Sequence, residues 1–352
     1  MGFRQDLYHG NTIIDFVPKW RISARVSAAM VAIAVLSLVV LGLKLSIEFE
    51  GGGTWQVPVP DGVTVADGRA AAGLDEARVQ ILADLDGGNQ LRVQSDASQI
   101  DQSAEVVKRL AALAGVETNE VKVDTVGPTW GRQITGKAVR ALVLFFLAVA
   151  FYLAWTLEWR MAAGALVAVV HDLVITAGLY ALFRFEVSPA TVIALLTILG
   201  YSLYDTVVVY DKVRENQNTP MADGISHTQL INRSMNQVLM RSVNTTITTV
   251  LPVASMLLLG GLFLGGSALR GFALALFIGL ILGTYSSIFV AAPLLAWLKE
   301  REPETEEYRR RMQRAAEMLP GEEHLKGDEP VAVPESGVSG AVIVPKGRKK
   351  RR

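Results

Sequence analysis

Six apolar segments, each long enough to cross a lipid bilayer, constrain this chain more than any other feature. A helix needs about 20 residues to span the ~30 Å hydrocarbon core of a membrane. Runs of that length fall at 26–46, 138–157, 161–183, 187–210, 238–264 and 271–298. Hydrophobic residues make up 51% of the chain and charged residues only 19%, which is typical of membrane proteins. The sequence therefore predicts an α-helical membrane protein with six transmembrane helices.

Lysine and arginine are distributed unevenly around these segments, and this distribution predicts the orientation. They are frequent before the first segment, between the fourth and fifth, and after the last, whereas the loops at 184–186 and 265–270 hold one arginine each. Both termini are therefore expected in the cytoplasm. The predicted parts are a cytoplasmic N-terminal segment 1–25, a first transmembrane helix 26–46, an extracytoplasmic domain 47–136, a five-helix bundle 137–298 and a disordered cytoplasmic tail 299–352.

The predicted extracytoplasmic segment has the pattern of a small α+β domain. Alternating apolar positions predict strands at 54–60, 78–84, 90–94 and 121–126. Asp86-Gly87-Gly88-Asn89 is a strong hairpin turn. Helical patterns at 63–74 and between 98 and 115 complete the order β-α-β-β-α-β, which predicts a ferredoxin-like domain. A passive spacer between two helices is the alternative, because a fold alone assigns no activity.

The composition excludes several classes of function. The chain has no cysteine, so disulfides, cysteine-based zinc sites, iron–sulfur clusters and cysteine nucleophiles are ruled out. Its four histidines are scattered, and 34 basic residues balance 34 acidic ones, so we expect neither a metal site nor nucleic-acid binding. No phosphate-binding loop, nucleophile–base set or cofactor motif occurs. We therefore expect a protein that is not an enzyme and uses no cofactor.

Ionisable residues inside the apolar segments are the best candidates for function, because an ionised side chain in the bilayer costs at least about 2.5–3.5 kcal/mol on insertion scales. Asp205 is the only charged residue of the fourth segment, and Tyr201 lies one turn earlier on the same face. Arg241 enters the fifth segment at a similar depth. A pair between Asp205 and Arg241 would create a proton-coupled switch, because a proton and a guanidinium compete for one carboxylate. Alternatively, Arg241 reaches the lipid headgroups and Asp205 caps the following segment.

His171 and Asp172 form a second candidate pair near the middle of the third segment. Even a neutral buried aspartic acid needs a hydrogen-bond partner, so we expect a polar network inside the bundle. His171 either relays protons or faces a water molecule. The predicted proton pathway consists of Asp205, Arg241, Asp172, His171 and Tyr201.

Small residues recur every four positions along the last segment, which predicts a close approach of another helix. The predicted seam contains Gly271, Gly279 and Gly283. Threonines at 245, 246, 248 and 249 either line a hydrated path near the ionisable residues or only add hydroxyl contacts between helices.

Several stretches share the motifs of one known family. They are EFEGGGT at 48–54, HD at 171–172, GYSLYDTVVVYDKVREN at 200–216, LMRS at 239–242 and FALALFIGLILGTYSSIF at 272–289. Together they resemble the SecF family, the smaller membrane subunits of the SecD/SecF group in the resistance-nodulation-division (RND) superfamily. The resemblance covers roughly residues 13–298. The chain departs from the family pattern at Glu48, where aspartate is usual, at Gly53, which is inserted, and at Tyr204, where asparagine is expected.

The resemblance implies an accessory subunit of the Sec protein translocase in the bacterial plasma (inner) membrane. It implies that proton-motive force assists the late export of unfolded preproteins, and that the residues matching Asp205 and Arg241 take part in proton passage. Six spans would be half of a twelve-span unit, with a SecD chain as the other half. The implied partners are SecD, the channel proteins SecY, SecE and SecG, YajC-type and YidC-type accessory proteins, exported preprotein chains and membrane lipid.

Two other functions are compatible with parts of this pattern. A proton-coupled exporter of small molecules or lipids from the same superfamily would need about twelve spans and two outer domains, so this chain is too short. A scaffold subunit that stabilises the export channel without moving protons would share every feature described above. Proton uptake measured with and without Asp205 would separate the scaffold from the proton-driven subunit.

Overall fold

The computed structural model describes residues 14–74, 77–83, 88–219, 226–263 and 267–301. Half of the predicted hairpin turn at 86–89, residues 86 and 87, and nearly all of the predicted tail lie outside the described residues. In chain order the elements are α1 (Trp20–Leu41), β1 (Lys44–Leu45), α2 (Ile47–Glu50), β2 (Gly52–Val59), α3 (Val65–Ala72), β3 (Arg78–Ala83), β4 (Asn89–Ser95), α4 (Ser103–Ala114), β5 (Lys122–Val126), α5 (Pro128–Thr156), α6 (Trp159–Leu182), β6 (Glu186–Val187), α7 (Pro189–Gln217), α8 (His227–Phe263), α9 (Ser267–Ser286) and α10 (Ala292–Glu300).

Five helical stretches within the described residues are long and apolar enough to cross a membrane. They are α1, α5, α6, α7 and the stretch 269–300, in which a π-helical turn at Ser287–Ala291 joins α9 to α10. The remaining predicted segment, 238–264, lies in α8, a helix of 37 residues that ends at the boundary of the described residues. The count of six spans therefore stays a prediction.

The ends of two predicted spans differ from the sequence-based boundaries. Helix α1 ends at Leu41 rather than near residue 46, because Gly42 adopts a φ of 65° that breaks the helix. Helix α5 begins at Pro128, well before the predicted start at 138, and proline is favoured in a first helical turn. The segment between these helices therefore runs from residue 42 to residue 127, whereas the predicted domain was 47–136.

The segment between α1 and α5 contains a four-stranded antiparallel sheet in the order β3-β4-β2-β5. With α3 and α4 the elements follow the β-α-β-β-α-β order. We call this unit between α1 and α5 the outer domain, because it lies outside the helical bundle. Its core includes the fully buried Trp55, Leu91 and Leu110, and the Trp55 indole donates a hydrogen bond of 2.9 Å to Ser103 Oγ. Helix α4 begins at Ser103, later than predicted, because a 3₁₀ turn precedes it.

A short parallel ladder connects the outer domain to the membrane helices. Strand β1, just after α1, pairs with β6, which lies between α6 and α7. The backbone N–H of Ser46 donates to the carbonyl of Val187 at 3.0 Å. The Arg184 guanidinium donates to the Leu41 carbonyl at 2.6 Å. The exit of the first span is thus fixed to the loop that enters α7.

Helix α6 is the most buried of the long apolar helices. Helix α1 approaches it so closely that a methyl group on Gly178 would overlap Ala34. By contrast, α5 is largely exposed along its length. Inside the bundle, polar residues of α6, α7 and α9 face one another.

Candidate functional site in the membrane bundle

Asp172 is the centre of a polar network that joins three helices. Its side chain is 1% exposed, and one oxygen lies 3.1 Å from Nδ1 of His171. The other oxygen accepts hydrogen bonds from Ser202 Oγ of α7 at 2.6 Å and from Ser286 Oγ of α9 at 2.7 Å. Every oxygen of this buried carboxyl group has a partner, as the cost of burying it requires.

The π-helical turn after α9 adds further hydroxyl groups to this network. Ser287 Oγ lies 2.9 Å from Thr206 Oγ1 and 3.3 Å from the Ser202 carbonyl. Such wide turns are rare and are often found at functional sites. Sequence reasoning missed Ser202, Ser286 and Thr206 as members of the site. For Ser202 and Thr206 the available signal was their spacing of one helical turn on α7, close to Asp205; no such signal marked Ser286 on α9.

His171 is buried but contacts only part of the network. Its Nε2 atom has no hydrogen-bond partner among the described residues. The ring stacks on Tyr285 with centroids 6.3 Å apart, and the Tyr285 hydroxyl lies 3.0 Å from Ser27 Oγ of α1. An aromatic contact therefore extends the site toward α1.

Asp205 occupies a separate position between α7 and α8. It is 7% exposed, and its Oδ1 accepts a hydrogen bond of 2.7 Å from Ser242 Oγ. Its Oδ2 is buried and has no partner among the described residues. One oxygen of this carboxyl group is thus hydrogen-bonded across the interface between α7 and α8, and the other has no hydrogen-bond partner among the described residues.

The predicted pair between Asp205 and Arg241 is not formed in this structure. No ion pair within the described residues joins them, and Arg241 Nη2 instead donates to the Tyr204 hydroxyl at 3.1 Å on the exposed surface. Successive residues of a helix point about 100° apart. Since Ser242 faces Asp205, its neighbour Arg241 is rotated out of direct contact with that carboxyl group, although it still acts on it electrostatically. The alternative prediction, that Asp205 caps the following segment, is not observed either, because its bonded oxygen contacts α8.

Tyr201 also binds α8 rather than Asp205. Its hydroxyl lies 2.6 Å from Thr249 Oγ1 and donates to the Thr245 carbonyl at 3.1 Å. Thr246 contacts Thr284 of α9 at 2.7 Å. These threonines join α8 to its neighbours by hydroxyl contacts.

Several exposed residues of α7 and α8, most of them polar, lie around the bond between Tyr204 and Arg241. We call this surface the open polar face. It contains Thr197, Gly200, Tyr204, Arg241, Asn244 and Thr248. The bond between Tyr204 and Arg241 joins the two helices across this face.

The structure places the predicted glycine seam of α9 against α7. A methyl group on Gly279 would lie 2.7 Å from Cγ1 of Ile198, and one on Gly283 would lie 2.9 Å from Cβ of Ser202. Gly271 is less confined, since its nearest neighbour would be Thr191 Oγ1 at 3.5 Å. Two of the three glycines thus allow a close contact that also positions Ser202 beside Asp172.

Two asparagines on the N-terminal half of α8 hold the chain before α1. Asn232 Oδ1 accepts the backbone N–H groups of Phe16 and Val17, and Asn236 Oδ1 accepts that of Ile14. Both amide groups donate to the Ile14 carbonyl. We call residues 14–17 the N-terminal strap. Within the described residues no cluster of histidine and acidic side chains could hold a metal ion.

Comparison with known proteins identifies the family. The model of the family "Protein export membrane protein SecD/SecF, C-terminal" matches residues 106–301. The protein translocase subunit SecF of Streptomyces coelicolor is 42% identical over 87% of this chain and 82% of its own length. The SecF subunit of Mycobacterium tuberculosis strain H37Rv is 38% identical over 96% of this chain and 80% of its own.

A solved structure gives the same result. The crystal structure of SecDF from Thermus thermophilus, a translocon-associated membrane protein, superposes with a TM-score of 0.69 at 32% identity. The match covers 83% of this chain and 39% of the SecDF chain. This chain belongs to the SecD/SecF family of protein-export membrane proteins, which confirms the resemblance read from its motifs. It is therefore a membrane-embedded component of protein translocation.

Proposed function

We propose that this chain is the SecF half of a SecD–SecF unit that uses proton-motive force to assist late export of unfolded preproteins. The proposal includes six spans, cytoplasmic termini and a ferredoxin-like domain outside the membrane. It also includes contacts with the Sec channel, YajC-type and YidC-type proteins and the exported chain, for which the family resemblance is the support. The relative from Thermus thermophilus named SecDF supports SecD as the partner.

The observation that carries proton coupling is the environment of Asp205. The carboxyl group is buried in the bundle, yet one of its oxygens has no donor in the part of the chain that the structure describes. An ionised carboxylate is expensive there, and binding a proton removes the charge. Protonation also weakens the bond from Ser242, because hydrogen bonds to a charged acceptor are roughly twice as strong as neutral ones. Proton binding therefore loosens the contact between α7 and α8.

The open polar face is where we place the SecD half. Arg241 exposed to hydrocarbon would cost several kcal/mol unless it reached the headgroups or a protein partner. Its bond to Tyr204 holds it on this face, beside Asn244 and Thr248. A second bundle packed here would supply acceptors for these groups and would enclose a polar path next to Asp205. Arg241 then acts at the interface between halves rather than as the direct partner of Asp205.

The available energy suits a modest conformational change. One elementary charge crossing the membrane releases about 2.3 kcal/mol per 100 mV. This amount can shift an equilibrium between two arrangements that differ by a few kcal/mol. Loosening α7 from α8 at Asp205 would reposition α7, and the ladder of β1 and β6 would pass that shift to the outer domain.

Replacing Asp205 by asparagine tests the proposal. The variant should co-purify with SecD and assemble normally, but it should lose proton uptake in proteoliposomes and potential-driven export in membrane vesicles. Glu215→Gln is a matched control on the same helix, because Glu215 is exposed and forms an ion pair with Lys212 on the surface. Normal potential-driven export by Asp205→Asn would refute proton coupling at this residue and leave the scaffold subunit as the function.

A further inference from the structure

Four cationic side chains meet where the outer domain rests on the membrane helices. Lys44 lies in β1, Arg78 in β3, Arg92 in β4, and Arg184 just after α6. Each of the three arginines acts electrostatically on Lys44. We call these residues the outer cationic cluster.

The hydrogen bonds at this junction show how the strands bring the cluster together. Gln94 of β4 donates to the Glu186 carboxylate at 3.3 Å, and Glu186 is the ladder partner of Lys44. The Arg78 guanidinium donates to the Leu45 carbonyl at 3.3 Å. Arg92 lies two residues before Gln94, so both side chains point to the same face of the sheet. This face is opposite the Trp55 core and meets β1.

Among the described residues, two carboxylates interact with the four cations of the cluster. They are Glu186, which acts on Lys44, and Glu50, which lies 4.0 Å from Arg78 and is half exposed. Arg184 is satisfied by the Leu41 carbonyl. The positive charges of Lys44 and Arg92 are therefore only partly neutralised.

Arg92 is the least satisfied member. It is 9% exposed, and its Nε atom is buried without a partner among the described residues. Lys44 likewise forms no ion pair within 4.0 Å among those residues. Burial, and then repulsion from the arginines, lowers the pKa of Lys44 despite the opposing effect of Glu186. Lys44 is only partly buried, whereas Arg92 is almost fully buried. A buried cation with an unpartnered donor is costly unless an anion completes the site.

We propose that the outer cationic cluster binds the phosphate group of an outer-leaflet phospholipid, with Arg92 and Lys44 as its principal ligands. A guanidinium offers paired donors that match phosphate oxygens, and an ammonium adds a compact charge. Lys44 and Arg184 directly follow the ends of α1 and α6, which is the height at which lipid headgroups lie. The choice of leaflet rests on the proposed outside location of the domain. A bound headgroup would fasten β4 to β1.

Lipid binding to the full-length chain in mild detergent tests this site. Native mass spectrometry would compare dioctanoyl phosphatidylglycerol with dioctanoylglycerol, which has the same acyl chains and no phosphate. We expect retention of the phospholipid only. Arg92→Gln with Lys44→Gln should weaken binding by about tenfold or more, which corresponds to one lost charge-assisted contact or more. Lys108→Gln on the exposed surface of α4 is the control and should bind normally.

A further variant and a competition experiment distinguish lipid binding from misfolding and from binding of free phosphate. Arg92→Lys keeps the charge but loses the paired donors, so its binding should fall less than that of the double glutamine variant, and this partial retention would show that charge loss rather than misfolding weakens binding. Competition by millimolar inorganic phosphate would assign the site to free phosphate and overturn the lipid assignment. Unchanged phospholipid binding in the double glutamine variant, or equal retention of dioctanoylglycerol, would overturn the site itself. None of these measurements depends on proton coupling at Asp205, so the two proposals can fail separately.

Discussion

Replacing Gly279 by alanine tests how closely α7 and α9 must approach. The new methyl group would lie 2.5 Å from Cγ2 and 2.7 Å from Cγ1 of Ile198, and nearer still to its Cδ1. Ile198 is 2% exposed, so its side chain has no free space to enter. The two helices must therefore move apart. Gly283, which packs against Ser202, belongs to the same contact between α7 and α9 and would be affected as well.

The expected cost follows from two opposing contributions. Overpacking a filled interface costs about 1–3 kcal/mol, whereas alanine in a helix gains roughly 0.5–1 kcal/mol over glycine. Gly279→Ala should therefore destabilise the protein by about 1–2 kcal/mol. Gly271→Ala should be neutral or slightly stabilising, because its methyl group would meet Thr191 Oγ1 at an ordinary 3.5 Å.

Unfolding of the purified chain in mild detergent, followed by helical circular dichroism, measures both variants. The double variant Gly279→Ala/Ile198→Ala should be no less stable than Ile198→Ala alone, because the smaller side chain leaves room for the methyl group. Strict additivity of the two substitutions would contradict the close contact. So would an equal loss of stability in Gly271→Ala.

Two more predictions concern the strap and the base of the outer domain. Replacing Asn232 and Asn236 together by alanine removes the side-chain hydrogen bonds to the N-terminal strap, each worth about 1 kcal/mol; limited proteolysis should then cut before α1 faster, and unchanged cleavage would count against the strap. Both Gly52 and Gly62 have a positive φ, but of these two only Gly52 also faces a backbone oxygen, that of Ser95. Gly52→Ala should therefore weaken the amide-exchange protection of β2 more than Gly62→Ala weakens the protection of the turn at residue 62. Equal protection in both variants would refute the steric part of this reasoning.

The sequence predicted the membrane class, the family and the β-α-β-β-α-β order because each is encoded in local patterns. Apolar length identified the helices, and alternation identified the strands. The need of Asp172 for a hydrogen-bond partner was also predictable from the cost of burying it. The identity of its partners Ser202 and Ser286 was not, because short hydroxyl residues occur throughout the spans.

The absence of a direct ion pair between Asp205 and Arg241 among the described residues shows what the sequence alone does not determine. Depth along a helix can be counted in residues, but rotation about its axis cannot, and a single residue separates Arg241 from Ser242. The rotation of α8 depends on packing, including the contact of Tyr201 with Thr249. The strap likewise depends on contacts such as that between Ile14 and Asn236, which are 222 residues apart, and no local pattern signals them.

The pairing of β1 with β6 links the base of the outer domain directly to the start of α7. Ser46 is tied by its backbone to Val187, and α7, which carries Asp205, starts two residues after Val187. If α7 moves as the proposed function requires, the shift would reach the base of the domain through this hydrogen-bonded main chain. A displacement of α7 would then change the position of the domain relative to the membrane helices.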